Sequence, residues 1–138
     1  MTSTASFIGF GGYVPEHVMT NDDWAQYVDT SDEWIRTRTG IEERRIAAPG
    51  ESTADLAEAA ARVALADAGI EGSDLDEIIV ATDTPEVYTP DTAAFLQHRL
   101  GVGNVPAFDL GGSGCAGWVQ AIDVARARLT RVLESSHP

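Results

Sequence analysis

The chain has 138 residues, 43% of them hydrophobic and 7% aromatic, which is enough for a core built mainly from Ala, Val, Ile and Leu. Its formal net charge of -13 argues against nucleic acid as a partner, because binding a phosphate backbone needs a basic face. No apolar run has membrane-spanning length, the opening MTSTASFIGF lacks the basic residues of a signal peptide, and the single Cys115 excludes an intrachain disulfide; the expectation is a cytoplasmic chain without membrane contact.

Taken in order, ASFIGF (5–10) is a short apolar run ending in Gly11-Gly12 and predicts a buried strand and turn. Asn21 or Asp22 is the expected cap of a short helix through Tyr27. Ser31 or Asp32 is expected to cap a second, DEWIRTRT, stopped at Gly40. Residues 41–48 predict an extended or irregular link. The clearest helix is 53–68, with Ser52 and Asp55 spaced as a capping box, Glu58 and Arg62 as an i,i+4 pair, and Gly69 after its end. EIIVAT (77–82) predicts a fully buried strand. Pro90-Asp91 opens a helix to about Leu100, and VPAFDL (105–110) predicts another strand. A GGSG turn then leads to Cys115 and a last helix from about Ala116 to Leu133. The tail from Glu134 to Pro138 is polar. Strands alternating with helices imply an α/β fold with a mainly parallel sheet and helices on its faces.

All nine basic residues are Arg, and Arg36, Arg38, Arg44 and Arg45 fall close together. Such a cluster suits bidentate phosphate contacts, or it pairs with Glu42, Glu43 and nearby acids on a solvated surface. Asp29, Asp32 and Glu33 read as helix-start residues, and no His/Cys/Asp spacing fits a zinc or iron site.

Cys115 stands after a glycine turn at a strand-to-helix junction. A helix N-terminus presents unpaired N–H groups and partial positive charge, which favour the nucleophilic thiolate. Gly111, Gly112, Gly114 and Gly117 let a substrate approach the backbone, whose N–H groups are suited to hold an oxyanion. The competing reading is a buried structural Cys among small neighbours.

Five strings then resemble, in order and spacing, the β-ketoacyl-acyl carrier protein synthase III family: GGYVPE (11–16), DTSDEWIRTRTGIEERRIAAP (29–49), IIVAT (78–82), PAFDL (106–110) and CAGW (115–118). The match covers nearly the whole chain, to about residue 131. It implies a thiolase-like fold of two similar halves, of which residues 1–138 resemble the N-terminal one, since the family's chains are about twice this long. It implies Cys115 as the nucleophile that takes an acyl group from acyl-CoA. It implies Trp34 stacked on the adenine of coenzyme A, with a core tryptophan as the alternative, and Arg38 on the coenzyme A phosphates. Thr30 lies at a position lining the same entrance. Thr89 falls in the loop that closes a dimer partner's acyl pocket, where a small residue leaves room for a longer or branched chain.

Two departures stand out. Five residues separate Asp109 from Cys115, one more than the family's usual spacing. The family's catalytic His and Asn lie in its second half, and His17, in an early turn, His98, on a helix surface or interface, and His137, in the tail, match neither context. The resemblance thus implies an acyltransferase of fatty acid or polyketide biosynthesis that condenses acyl-Cys115 with malonyl-acyl carrier protein. It needs no cofactor beyond the coenzyme A thioester, and works as a homodimer or paired with a C-terminal half. By itself this chain is expected to accept an acyl group and not to condense it. The rivals are a non-catalytic module binding acyl-CoA or carrier protein, and a secondary-metabolism acyltransferase of the same fold. A half-fold alone is expected to expose a large apolar face.

Overall fold

A computed structural model describes residues 5–135, with side chains to Thr130. The expectations for the tail beyond Ser135, His137 included, lie outside the described residues. The chain forms two compact units: Tyr13–Glu51, and the flanking segments up to Gly12 and from Ser52 onward.

In the unit Tyr13–Glu51, strand β1 (His17–Thr20) pairs antiparallel with β2 (Glu43–Ile46), His17 opposite Ile46 and Thr20 opposite Glu43. His17 therefore sits on a strand, not in a turn. The link expected at 41–48 is ordered because β1 supplies its ladder. Helix α1 (Asn21–Trp24) ends earlier than expected and is capped by Thr20, whose hydroxyl accepts from the Asp23 N–H while the Asp23 carboxylate accepts from the Thr20 N–H. Asn21 does not cap because its side chain is buried and committed elsewhere. Its amide donates to Asp32 and to the Ile41 carbonyl, both at 2.8 Å, and its oxygen accepts from Arg44 at 2.7 Å. Helix α2 (Asp32–Thr39) has the expected limits, with the Ser31 hydroxyl accepting from the Trp34 N–H and Gly40 at φ 73°.

In the other unit, helix α3 (Thr53–Ala68) carries the expected capping box of Ser52 and Asp55, and Gly69 ends it at φ 68°. Strand β3 (Ile78–Ala81) runs parallel to β4 (Ala107–Leu110), Ile78 opposite Ala107 and Ala81 opposite Leu110. Helix α4 (Thr92–Arg99) crosses between them, and α5 (Gly117–Ser135) follows β4. The core centres on Ile78, Ala93 and Leu96, packed by Ala57, Val80, Leu100, Val102 and Ala107. Asp109 fastens β4 to α4: its carboxylate accepts from the N–H groups of Thr92 (2.8 Å) and Ala93 (2.9 Å), two of the donors a helix start leaves free.

Two strand expectations change. Residues 5–10 form no strand among the described residues, and Phe7, Ile8 and Phe10 are more than half exposed. The segment lies along α3, where a side chain at Gly9 or Gly11 would collide with the backbone of Ala64 or Ala60, and the Phe10 N–H donates to Asp67 at 2.9 Å. A strand is defined by a partner, and among the described residues β3 pairs with β4 alone. For the same reason β3 is not fully buried: Ile78 is, but Ile79 and Val80 are half-buried and Ala81 is exposed.

Candidate active site

The parallel register that sets Ala81 opposite Leu110 brings the segment after β3 beside the segment after β4. The Thr82 N–H extends the ladder to the Leu110 carbonyl at 3.1 Å. Beyond it the chain runs through Gly111–Gly114, with Gly112 at φ 79° and Gly114 at φ 50°, conformations costly for any residue with a Cβ. Both oxygens of the Asp83 carboxylate turn toward this loop. One accepts from the Gly112 N–H and the other from the Gly114 N–H at 2.8 Å.

Cys115 follows in a single 3-10 turn, Gly114–Ala116, closed by the Ala116 N–H donating to the Ser113 carbonyl at 3.0 Å. The turn feeds directly into α5 at Gly117. A side chain there would come within 3.3 Å of the Ala81 Cβ, so Gly117 lets the helix start sit close against the end of β3. The expected strand–glycine turn–Cys–helix order is therefore present, with the 3-10 turn as the detail the sequence did not announce. Cys115 is exposed, which removes the reading of a buried structural cysteine. Glycines 112 and 114 do a different job from the one expected, because their N–H groups are already engaged by Asp83.

Thr89 is exposed in the segment before α4. Its neighbours Val87 and Tyr88 line a cleft of about 260 Å³ together with Thr82, Asp83, Gly111 and Gly112. Glu86 ties this segment down. Burial raises its carboxyl, but hydrogen bonds from the Ala54 N–H and other donors outweigh that and hold it below the usual carboxylate range.

Thr30, Trp34 and Arg38 share the Tyr13–Glu51 unit. Trp34 is 53% exposed, so it is not a core tryptophan. One helical turn on, the Arg38 guanidinium lies 4.7 Å from the centre of its ring. The Thr30 hydroxyl is turned inward, buried without a hydrogen-bond partner among the described residues.

The arginine cluster divides in two. Arg36 pairs with Asp32 (2.9 Å) and Glu42 (2.8 Å), and Arg45 with Glu43 (3.3 Å). The Asn21 amide and then Arg36 hold the Asp32 carboxyl below its ordinary range. Arg44 donates to the Thr20 carbonyl at 2.8 Å and to Asn21. Arg36 and Arg45 follow the solvated-pair reading, whereas Arg44 is tied to a backbone carbonyl and an amide oxygen instead of an acid. Arg38, like Arg44, has no carboxylate partner among the described residues, and its guanidinium lies against the Trp34 ring. His17 and His98 are both exposed.

No family model matches the chain. The "Beta-ketoacyl-[acyl-carrier-protein] synthase III" of Xylella fastidiosa is 56% identical over 121 residues, covering 88% of this chain and 37% of that protein. The solved 3-oxoacyl-[acyl-carrier-protein] synthase III of Aquifex aeolicus superposes with a TM-score of 0.84 at 44% identity, over 90% of this chain and 40% of its own. A solved priming β-ketosynthase from a polyketide biosynthetic pathway superposes with a TM-score of 0.82 at 38% identity, over 87% of this chain and 36% of its own. The chain thus spans about two-fifths of these relatives' length, less than the half expected. Its architecture is the α/β, thiolase-like fold.

Proposed function

The chain belongs to the β-ketoacyl-acyl carrier protein synthase III family, matching the N-terminal part of its members, and on that premise we propose that Cys115 accepts an acyl group from acyl-CoA. The Cys115 thiolate adds to the thioester carbonyl, the carbonyl oxygen takes the charge, and the carbon–sulfur bond to coenzyme A breaks. Coenzyme A leaves as a thiolate that picks up a proton from solvent. In the whole protein the acyl-Cys would then receive the carbanion released when malonyl-acyl carrier protein loses CO₂, and the Cys115–acyl bond would break in turn.

The observation that carries this reading is the exposed Cys115 in a turn at the start of α5. Trp34 and Arg38 support it as a flat stacking face beside an uncommitted guanidinium, a pairing suited to the adenine and phosphates of coenzyme A. Thr30 belongs to the same proposed entrance through its backbone and methyl group. Thr89 would face the acyl pocket of a second copy, which makes a homodimer part of the reading. The reaction needs no cofactor beyond its thioester substrate, and the place of action would be the cytoplasm. Among the described residues no helix is long and apolar enough to cross a membrane. Decarboxylation calls for groups other than His17 and His98, so residues 1–138 by themselves would load an acyl group without condensing it.

The test is intact mass after mixing the chain with a panel of acyl-CoAs, with Cys115→Ala as control. The expected result is a thioester-sized gain that the control lacks. Absence of any adduct while Cys115 still alkylates with iodoacetamide would favour the alternative, a part that binds acyl-CoA through Trp34 and Arg38 without acyl transfer.

A further inference from the structure

The structure assigns Asp83 as the positioning residue of the Cys115 loop, its carboxylate filling the backbone concavity formed by Gly112, Ser113 and Gly114. The assignment rests on the acyl-transfer reading above for its functional consequence, but its geometry stands independently. Gly112 is left-handed at φ 79°, Ser113 right-handed at φ -103° and ψ -6°, and Gly114 left-handed again at φ 50°. Backbone that alternates in hand turns nearby N–H groups to one side and makes a small anion-binding hollow. Here the anion is part of the chain. Asp83 accepts from the N–H groups of Gly112 and Gly114, one to each carboxylate oxygen.

The hollow lies within the five residues between Asp109 and Cys115, one more than the resemblance to the family implies. An extra residue between a fixed strand and a fixed helix gives the loop more conformers, and a displacement of about 1 Å at a reacting atom costs on the order of a hundredfold in rate. Both ends of the loop are already held, Leu110 by the ladder to Thr82 and Gly117 by its fit against Ala81. The middle is held by Asp83, whose place two residues past β3 is fixed by the register of Ala81 with Leu110. The Thr84 N–H donates to the Thr82 hydroxyl at 3.1 Å and folds the Asp83 turn from the other side. Asparagine would not replace the carboxylate, because its amide NH₂ would face one of the two N–H donors.

The test combines amide hydrogen exchange with single-turnover acylation. In the unaltered chain, exchange at Gly112 and Gly114 is expected to be slowed about tenfold or more against the exposed Gly50. Asp83→Asn and Asp83→Ala are expected to abolish that protection and to lower the acylation rate constant at saturating acyl-CoA by about ten- to a hundredfold. Half-saturating acyl-CoA and the final acylated fraction should not change. A purely structural role would instead lower the acylated fraction at an unchanged rate, and that outcome overturns the assignment. So do unprotected Gly112 and Gly114 amides in the unaltered chain, a readout that stands even where the variants fail to fold. Protected amides in a chain that no acyl-CoA acylates would sink the acyl-transfer reading and the positioning role with it, leaving the Asp83 contact as geometry alone.

Discussion

In the proposed reading, Trp34 and Arg38 would divide the binding of a coenzyme A thioester between stacking and charge. With the ring half exposed and the guanidinium 4.7 Å from its centre, the pair is a preformed platform at positions i and i+4 of α2. Trp34→Ala removes a stacking face worth about 1–3 kcal/mol, so the Kd for coenzyme A should rise on the order of tenfold or more in calorimetry. Arg38→Ala should raise it as well and should flatten its dependence on salt, whereas Arg36→Ala, whose partners are Asp32 and Glu42, should not flatten it. An unchanged Kd in Trp34→Ala would remove the stacking role. At this scale the sequence was informative where a motif is continuous. Cys115, Trp34 and Arg38 stand in continuous runs, and it is on those runs that their proposed roles rest. Asp83 was not legible, because its partners Gly112 and Gly114 lie about thirty residues on and meet it only through the register of β3 with β4. Nor did the sequence separate Arg38 from Arg36, Arg44 and Arg45, since that needs the positions of their acceptors.

Helices α2 and α3 were read closely because their signals are local, whereas α1 was given the wrong cap and end. Ser52, Asp55 and Gly69 mark the ends of α3 within a few residues of the bonds they make, as Ser31 and Gly40 do for α2. The segment 5–10 was misread as a strand because pairing depends on a neighbour that no local pattern specifies. Asp55 also carries a pH signature. The Ser52 N–H and hydroxyl, and then Arg99, hold its carboxyl down to about 2 against an ordinary 3.8. A carboxyl lowered on folding binds its proton more readily in the unfolded chain. Its stabilising contribution is therefore complete above the unfolded value and is lost as pH falls from about 4 toward 2. The melting temperature of the unaltered chain should fall over that window. Asp55→Asn should start lower at neutral pH and lose less across it. Parallel curves for the two proteins between pH 4 and 2 would show that the cap does not titrate as argued.

Core and surface are unevenly matched in the unit that carries Cys115. Among the described residues its buried apolar side chains are Ala54, Ile78, Ala93 and Leu96, while Phe7, Ile8, Phe10, Trp118 and Val119 are each more than 60% exposed. Phe7 stacks on Trp118 at 6.4 Å and meets Phe10 at 5.4 Å, so these three exposed aromatics form one cluster. Fully burying a large apolar side chain yields about 1.5–3 kcal/mol, against a net stability of about 5–15 kcal/mol for a typical domain. A cluster of three aromatics left in water is therefore a large fraction of what would stabilise the fold, and apolar patches of this kind drive association. The 138-residue chain should bind an apolar dye such as ANS in its native state, and in sedimentation velocity it should form species heavier than the monomer as concentration rises. Phe7→Ser combined with Trp118→Ser should reduce both signals while leaving the Gly112 and Gly114 amides protected, because the Asp83 contact lies within backbone that the substitutions do not touch. A monomer that neither binds the dye nor associates at any concentration would mean that residues 5–12 cover their own apolar side chains in solution, and the packing of that segment along α3 would have to differ from the one described.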